Sequence, residues 1–235
     1  MGVRDTQTAY RWSLVTLTIY ADSVTNHVAS EREALADLLE RLGPDAPTLC
    51  TGWATYDLAA HLVVRERVPA AWPGLVVPRL GSRTERVQRQ FKAEHPYEEC
   101  VRLVRQGPPA WLPMGAPVLS EALNLLEYLV HHEDVRRAQP DWVPRVVPTD
   151  LADAVWSRLR VVGRLALRRA PVGVLLRRAG TDDQIRAKRG EPTVTVTSDP
   201  VETALYAFNR RSVARVDLHG DPTALTRLAT AQIGL

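Results

Sequence analysis

The segment 120–137, SEALNLLEYLVHHEDVRR, places a carboxylate and an imidazole four residues apart on a predicted helix. At about 100° per residue, Glu127 and His131 lie on the same face of that helix, with Asn124 and Asp134 on the same stripe. The rest of the helix is nearly all apolar, so the pattern predicts burial on most sides, where an unpaired carboxylate or imidazole is costly. Two donors on one helix face can share one cation, so the sequence predicts a ligand pair here.

A second predicted helix, 55–68, presents another histidine toward the interior. His61 lies within an apolar stripe formed by Leu58, Val64 and Val68, which must face the core. Asp57 stands one turn before His61. It is expected either to accept the free imidazole N–H behind a metal ligand or to act as a first-turn acid that favours the helix dipole.

His61, Glu127 and His131 together form a candidate divalent metal site. Two imidazoles and one carboxylate suit zinc, and they also suit iron(II) or nickel. Three protein ligands would leave a fourth position open for water or substrate, as in catalytic zinc sites. On the residues alone, the more common arrangement is an ion pair between Glu127 and His131 beside a hydrogen-bonded core histidine, and that alternative stays open.

Several neighbouring residues have simpler interpretations. Asp134 is expected either to hydrogen-bond to a ligand without touching the metal or to form an ion pair with Arg137 one turn later. The ion pair is the favoured interpretation. His132 faces about 100° away from His131 and is expected to pack or to lie at the surface. Cys50 and Cys100 fit no metal or redox spacing, so we expect two reduced, structural thiols. For Cys50, which lies shortly before the His61 helix, a thiolate ligand or nucleophile is the less favoured alternative.

Helical periodicity predicts helices over residues 30–42, 55–68, 84–94, 96–106, 120–137 and 149–169. Ser30 and Glu33 form a capping box for the first of these helices. After Pro171 the chain becomes rich in β-branched residues, with strands predicted at 172–176, 184–189, 193–198 and 213–220 and short helices after Pro200 and Pro222. We therefore expect residues 1–23 to be a disordered extension or a mis-assigned start, 24–170 a helical bundle and 171–235 a small α/β C-terminal domain.

Composition excludes some classes of function. The 235 residues are 45 % hydrophobic and 24 % charged, which is typical of a globular protein, and the net charge is only +3. Basic residues are interleaved with acids and form no stripe, so we expect no nucleic-acid partner. The apolar run at 12–21 is too short to cross a bilayer and makes a poor signal peptide, which favours a cytoplasmic protein without a membrane partner. Nothing indicates the oligomeric state.

The segments LCTGWATYDLAAHLVVRE (49–66) and NLLEYLVHHEDVRRAQP (124–140) resemble the metal-binding domain of the mycothiol-dependent maleylpyruvate isomerase family. The resemblance lies in Cys50-x-Gly52-Trp53, Asp57-x3-His61 and Glu127-x3-His131, and is nearest to an actinobacterial branch of metal-binding proteins of unassigned activity. It covers residues from about 28 to the C-terminus. It implies an α+β fold, in which a DinB-like four-helix bundle is followed by a small α/β C-terminal unit.

The resemblance also implies site residues and chemistry. His61, Glu127 and His131 would hold the metal, and Arg210 would match an arginine important in the isomerases, although Asn209 stands where the family has glycine. The cofactors would be zinc and a thiol of the mycothiol type, and the partners would be a small-molecule thiol and an electrophilic substrate. The implied function is a thiol-dependent isomerase or S-transferase. The alternative is a non-catalytic structural or regulatory module, in which Asp134 or His132 closes the coordination sphere.

Overall fold

A computed structural model describes residues 27–69, 81–109, 111–112 and 117–234 of the chain. The predicted N-terminal extension, residues 1–23, lies outside the described residues.

The helical part follows the predicted periodicity closely. Its helices are α1 (27–42), α2 (Thr55–Arg67), α3 (Gly81–Glu94), α4 (Tyr97–Gln106), α5 (Pro117–Arg136) and α6 (Thr149–Ala166). Pro96 separates α3 from α4, as expected from the restriction that proline places on the residue before it. The chain is already helical at residue 27, so the Ser30–Glu33 capping box does not mark the start of α1.

Apolar side chains at helical spacing bury the inner faces of these helices. Leu58 and Leu62 on α2, four residues apart, are fully or almost fully buried, and so are Leu125 and Leu129 on α5. Helix α2 packs against α3 and α4, and α5 packs against α6. The predicted DinB-like four-helix arrangement of these elements remains a prediction.

A four-stranded sheet follows the helices. Its strands are β1 (Gly173–Arg178), β2 (Gln184–Lys188), β3 (Thr193–Ser198) and β4 (Asp217–His219), in the order β2-β1-β3-β4. Strands β1 and β3 are parallel, and the other two pairs are antiparallel. The alternation in TVTVTS buries Val194 and Val196, as predicted.

Strand β4 is shorter than the sequence indicated. The amides of Val213 and Ala214 both bond back to the carbonyl of Arg210, so this stretch forms a turn rather than the start of a strand. Two short helices complete the unit, α7 (Pro200–Ala207) and α8 (Pro222–Thr230). As predicted, each has a proline in its first turn, where the missing N–H is not needed.

The helices and the sheet share one hydrophobic core, which extends from Val28 to Ile233. Helix α6 contributes most to this continuity, because it packs against α5 on one side and against α7 and β2 on another. The mixed composition agrees with an α+β class, while the division of the chain at residue 170 remains a prediction. Among the described helices, none combines the length and apolar character required to cross a bilayer.

Candidate metal centre

Helices α2 and α5 bring His61, Glu127 and His131 together. The Nε2 atom of His61 lies 3.6 Å from Glu127 Oε1, and the Nε2 atom of His131 lies 3.3 Å from the same oxygen. One donor atom from each of the three side chains lies within 4.8 Å of the other two. The three residues that the helical stripes singled out therefore converge on a common point.

The spacing of these atoms resembles that of ligands around one ion. Two atoms that each lie about 2.0–2.1 Å from a tetrahedral zinc ion are about 3.3 Å apart, whereas a charge-assisted N–H···O bond is about 2.7–2.9 Å long. The observed 3.3 and 3.6 Å agree better with the first arrangement. Glu127 keeps 21 % of its side chain exposed and His61 keeps 15 %, so neither side chain is fully buried. The donor set thus fits a three-ligand zinc site with an open position.

The opposite side of His131 is held by a carboxylate and a guanidinium. Its Nδ1 atom lies 3.0 Å from Asp134 Oδ2. Arg210 donates to both oxygens of Asp134, from Nε at 2.8 Å and from Nη2 at 2.6 Å. A histidine that donates Nδ1–H to a carboxylate presents Nε2 to a metal in a fixed orientation. Burial alone would raise the pKa of Asp134, but its hydrogen bonds to Arg210 and His131 hold it at about 2. Asp134 is therefore a permanent negative partner of His131.

The carboxylate and the two imidazoles of the candidate site differ in their proton affinity. Burial raises the pKa of Glu127, yet Arg65 and the two histidines outweigh it and hold that pKa well below the usual range. Burial is the main cause that lowers the pKa of His61, which favours the neutral imidazole that a metal requires. For His131 burial is opposed by Asp134, Cys50 and Glu127, which raise its pKa well above 6.5.

Sequence reasoning missed the position of Cys50. It was expected to be an inert structural thiol in preference to a ligand or nucleophile, but its Sγ lies 3.3 Å from Asp134 Oδ2 and 3.9 Å from His131 Nδ1. Cys50, His131 and Asp134 thus form a second group that could hold an ion. The guanidinium of Arg210, bound to Asp134 and 3.6 Å from the sulfur, places a positive charge where that ion would sit. We therefore favour the group that contains His61 over this one.

Two other predicted neighbours have different partners. The carboxylate of Asp57 accepts a hydrogen bond from the backbone N–H of Ala54 at the start of α2 and forms an ion pair with Lys92. It therefore caps the N-terminal end of α2 and does not bind His61. Of its two predicted roles, that of a first-turn acid agrees with these contacts. No contact between Asp57 and the imidazole of His61 is found among the described residues.

The predicted ion pair between Asp134 and Arg137 does not form. Arg137 binds Glu133 and Glu202 instead, and Asp134 binds Arg210, which lies 76 residues away. His132 packs inside, where its Nδ1 lies 3.1 Å from Glu31 Oε2. Cys100 is buried and, like Cys50, forms no disulfide, as expected.

Solved structures with the same fold exist. Two crystal structures, of the mycothiol-dependent maleylpyruvate isomerase and of a histidine-to-alanine mutant of it, superpose with TM-scores of 0.51 and 0.52. In both cases the identity is 14 %, and the match covers 84 % of this chain and 91 % of the other. No protein-family model and no curated protein sequence matches the chain. These structures support the fold family that the sequence resemblance indicated, at low identity, while the DinB-like four-helix arrangement remains a prediction.

Proposed function

We propose that this protein is a metal-dependent enzyme of thiol chemistry, which uses a small-molecule thiol to isomerise an electrophilic substrate or to transfer sulfur to it. The observation that carries the metal part is the approach of His61 Nε2 and His131 Nε2 to one oxygen of Glu127 at ligand-like distances. The thiol part is supported by the fold, which is that of a mycothiol-dependent isomerase. The substrate class, a small electrophile, is proposed on the same basis.

The donor set favours zinc over the alternatives. Neutral imidazoles and one carboxylate, three ligands in all, are typical of catalytic zinc sites, although iron(II) and nickel accept the same donors. When bound, such an ion would lower the pKa of a thiol at its open position and present a thiolate to the substrate. The role of the protein is to keep that coordination position open and to hold the three ligands in place around it.

Asp134 and Arg210 orient the imidazole of His131, one of the three proposed ligands. Asp134 has no exposed side-chain surface and accepts from His131 Nδ1, so when a metal takes Nε2 the remaining proton of that imidazole is held on the side away from the candidate site. Arg210 in turn holds Asp134 through two nitrogens and brings the turn after α7 against the site. The same guanidinium keeps 21 % of its side chain exposed, and Nη1, which donates to the carbonyl of Phe208, has a second N–H that a substrate carboxylate would accept.

The alternative function, a metal-binding module without turnover, requires a closed coordination sphere. A fourth protein ligand was expected from Asp134 or His132 in that case. Asp134 instead lies on the Nδ1 side of His131, where it forms an ion pair with Arg210, and His132 binds Glu31. Neither is among the grouped donors of His61, Glu127 and His131, which favours an open, catalytic type of site.

The test is a thiol titration of the cobalt-substituted protein. Mycothiol should produce a saturable thiolate-to-cobalt absorption band, and the S-methyl thioether of the same molecule should not. His61→Ala, which removes one proposed ligand, is the matched control and should not bind cobalt stoichiometrically. If the wild-type protein binds one cobalt and no band appears at any thiol concentration, the thiol chemistry is wrong while the metal site stands.

A further inference from the structure

A guanidinium shares the carboxylate oxygen on which the candidate ligands converge. Arg65 stands one turn after His61 on α2, and its Nε lies 3.4 Å from Glu127 Oε1. The same oxygen lies 3.6 Å from His61 Nε2 and 3.3 Å from His131 Nε2. The resemblance to the isomerase family assigned no role to Arg65.

The position of this guanidinium is fixed by α5. Arg65 Nη1 donates to Asn124 Oδ1 at 2.8 Å, and Asn124 stands one turn before Glu127. Arg65 has 8 % of its surface exposed and Asn124 has none. A long, flexible side chain is thus held between two residues of the neighbouring helix, and its charge cannot move away when a cation approaches.

We infer that Arg65 is a built-in counter-cation of the metal site, which competes with the metal for the negative charge of the Glu127 carboxylate. This inference rests on the proposed metal function. With a divalent ion on His61, Glu127 and His131, the guanidinium and the ion would compete for one negative charge at a distance of a few ångströms. Arg65 therefore weakens metal binding and leaves more positive charge on the ion for an exogenous anionic ligand.

The charges around the site support this assignment. Asp134 and Arg210 form a neutral pair behind His131, so with both imidazoles neutral, as metal binding requires, the charge next to the ligand atoms comes from Glu127 and Arg65. The negative charge of Glu127 and the positive charge of Arg65 also offset each other. A divalent ion would thus enter a site with almost no net charge of its own, which favours the uptake of a thiolate or another anion as the next ligand.

The experiment measures metal affinity rather than activity. Zinc and cobalt dissociation constants are obtained by competition with a chromophoric chelator for wild type, Arg65→Gln and Arg65→Lys. Removal of the charge in Arg65→Gln should tighten binding by roughly tenfold or more, because a like charge near the ion is lost. Arg65→Lys, which keeps the charge, should stay close to wild type. Arg227→Gln, on α8, where the guanidinium donates to the carbonyl of Pro171, makes the same change in net charge outside the candidate ligands and should have no effect.

The outcomes separate this inference from the proposed function. If wild type binds no stoichiometric metal, the proposed site itself is wrong. If wild type binds metal and a folded Arg65→Gln protein binds it equally or more weakly, Arg65 is not a counter-cation. Should Arg65→Gln fail to fold, Asn124→Ala decides, because release of the guanidinium should tighten binding in the same direction by a smaller factor. Unchanged or weaker binding in Asn124→Ala then overturns the inference.

Discussion

His131 belongs to both groups of residues that could hold an ion. Its Nε2 faces Glu127 and His61, while its Nδ1 faces Asp134 and Cys50. An imidazole can use both nitrogens, one toward a metal and one toward a carboxylate, and the carboxylate then selects the tautomer. Substitutions on either side of His131 can therefore decide which group binds.

We expect His61→Ala and His131→Ala to reduce the metal content of purified protein from one ion per chain to nearly none. Cys50→Ser should retain one ion, because the sulfur lies on the Nδ1 side of His131. Elemental analysis of the three variants measures this directly. His219→Ala, on the edge strand β4, is the histidine control and should bind as wild type does.

The opposite pattern would be informative as well. Loss of metal in Cys50→Ser together with full occupancy in His61→Ala would transfer the site to Cys50, His131 and Asp134. Full occupancy in both His61→Ala and His131→Ala would refute the assignment of either group. Circular dichroism of each variant shows whether the fold is kept.

Asp134→Asn should weaken zinc binding by roughly ten- to a hundredfold without removing a ligand, as the loss of a carboxylate behind a metal-binding histidine usually does. The amide can donate as well as accept, so it no longer fixes the proton on Nδ1 of His131. Competition with a chelator measures the affinity. Asp150→Asn is the control, because Asp150 also lies beside a histidine, 3.6 Å from His27, away from the site. Equal affinities in wild type and Asp134→Asn would contradict the role of Asp134.

The parts of the site that the sequence predicted are those that depend on helical period. His61, Glu127 and His131 were predicted because a stripe repeating every 3.6 residues must face the core, and two such stripes carried donors. Cys50 was missed because it lies in a loop, where no periodicity indicates direction. Asp134 was first paired with Arg137 because spacing within a helix reveals local partners, while its actual partner, Arg210, is brought in by the tertiary fold.

At the scale of elements, a buried network of ion pairs ties α1 to α5 and to the segment after it. Glu31 on α1 accepts from Arg145 through both oxygens at 2.8 Å and lies 3.1 Å from His132. Arg145 also reaches Glu133, which has no exposed surface. Such pairs are weak evidence for stability as long as they are intact, but loss of one partner leaves a buried charge behind. The network thus fixes how the helix that carries Glu127 and His131 sits against α1.

The stability of this contact should depend on pH through Glu31. Burial raises its pKa, but its hydrogen bonds to His132 and Arg145 outweigh burial and lower it from 4.5 to about 2. A carboxyl whose pKa is depressed by folding adds stability above its unfolded pKa and loses that contribution as the pH falls through the folded value. For this shift the contribution is about 3 kcal/mol at neutral pH.

We therefore expect the free energy of unfolding of wild type to fall between about pH 5 and pH 2, and that of Glu31→Gln to fall less over the same range. Urea unfolding at a series of pH values gives both curves. Glu40→Gln, an exposed glutamate of the same helix, should follow wild type. Parallel curves for Glu31→Gln and wild type would mean that Glu31 gains nothing from its partners.

At the scale of the whole molecule, the sheet unit is joined to the helices by apolar and ionic contacts. The core is one cluster, and α7 and β2 pack against α6. Two ion pairs add to this, since Arg137, directly after α5, binds Glu202 on α7 at 2.6 Å and Arg210 binds Asp134 at 2.6 Å. The sequence predicted a change from helices to β-strands after residue 171, but it could not show how tightly the two parts would pack.

We expect the full chain to unfold in a single cooperative transition, because neither part can open without exposing the apolar surface of the other. Added zinc should shift that whole transition to higher temperature, since Arg210 in the sheet unit binds Asp134, which in turn contacts the proposed ligand His131. Differential scanning calorimetry with and without zinc tests both expectations, and His61→Ala should show no zinc-induced shift. Two separate transitions, with only one of them moved by zinc, would instead mean that residues 171–235 fold as an independent domain and that the contact between Arg210 and Asp134 does not couple them.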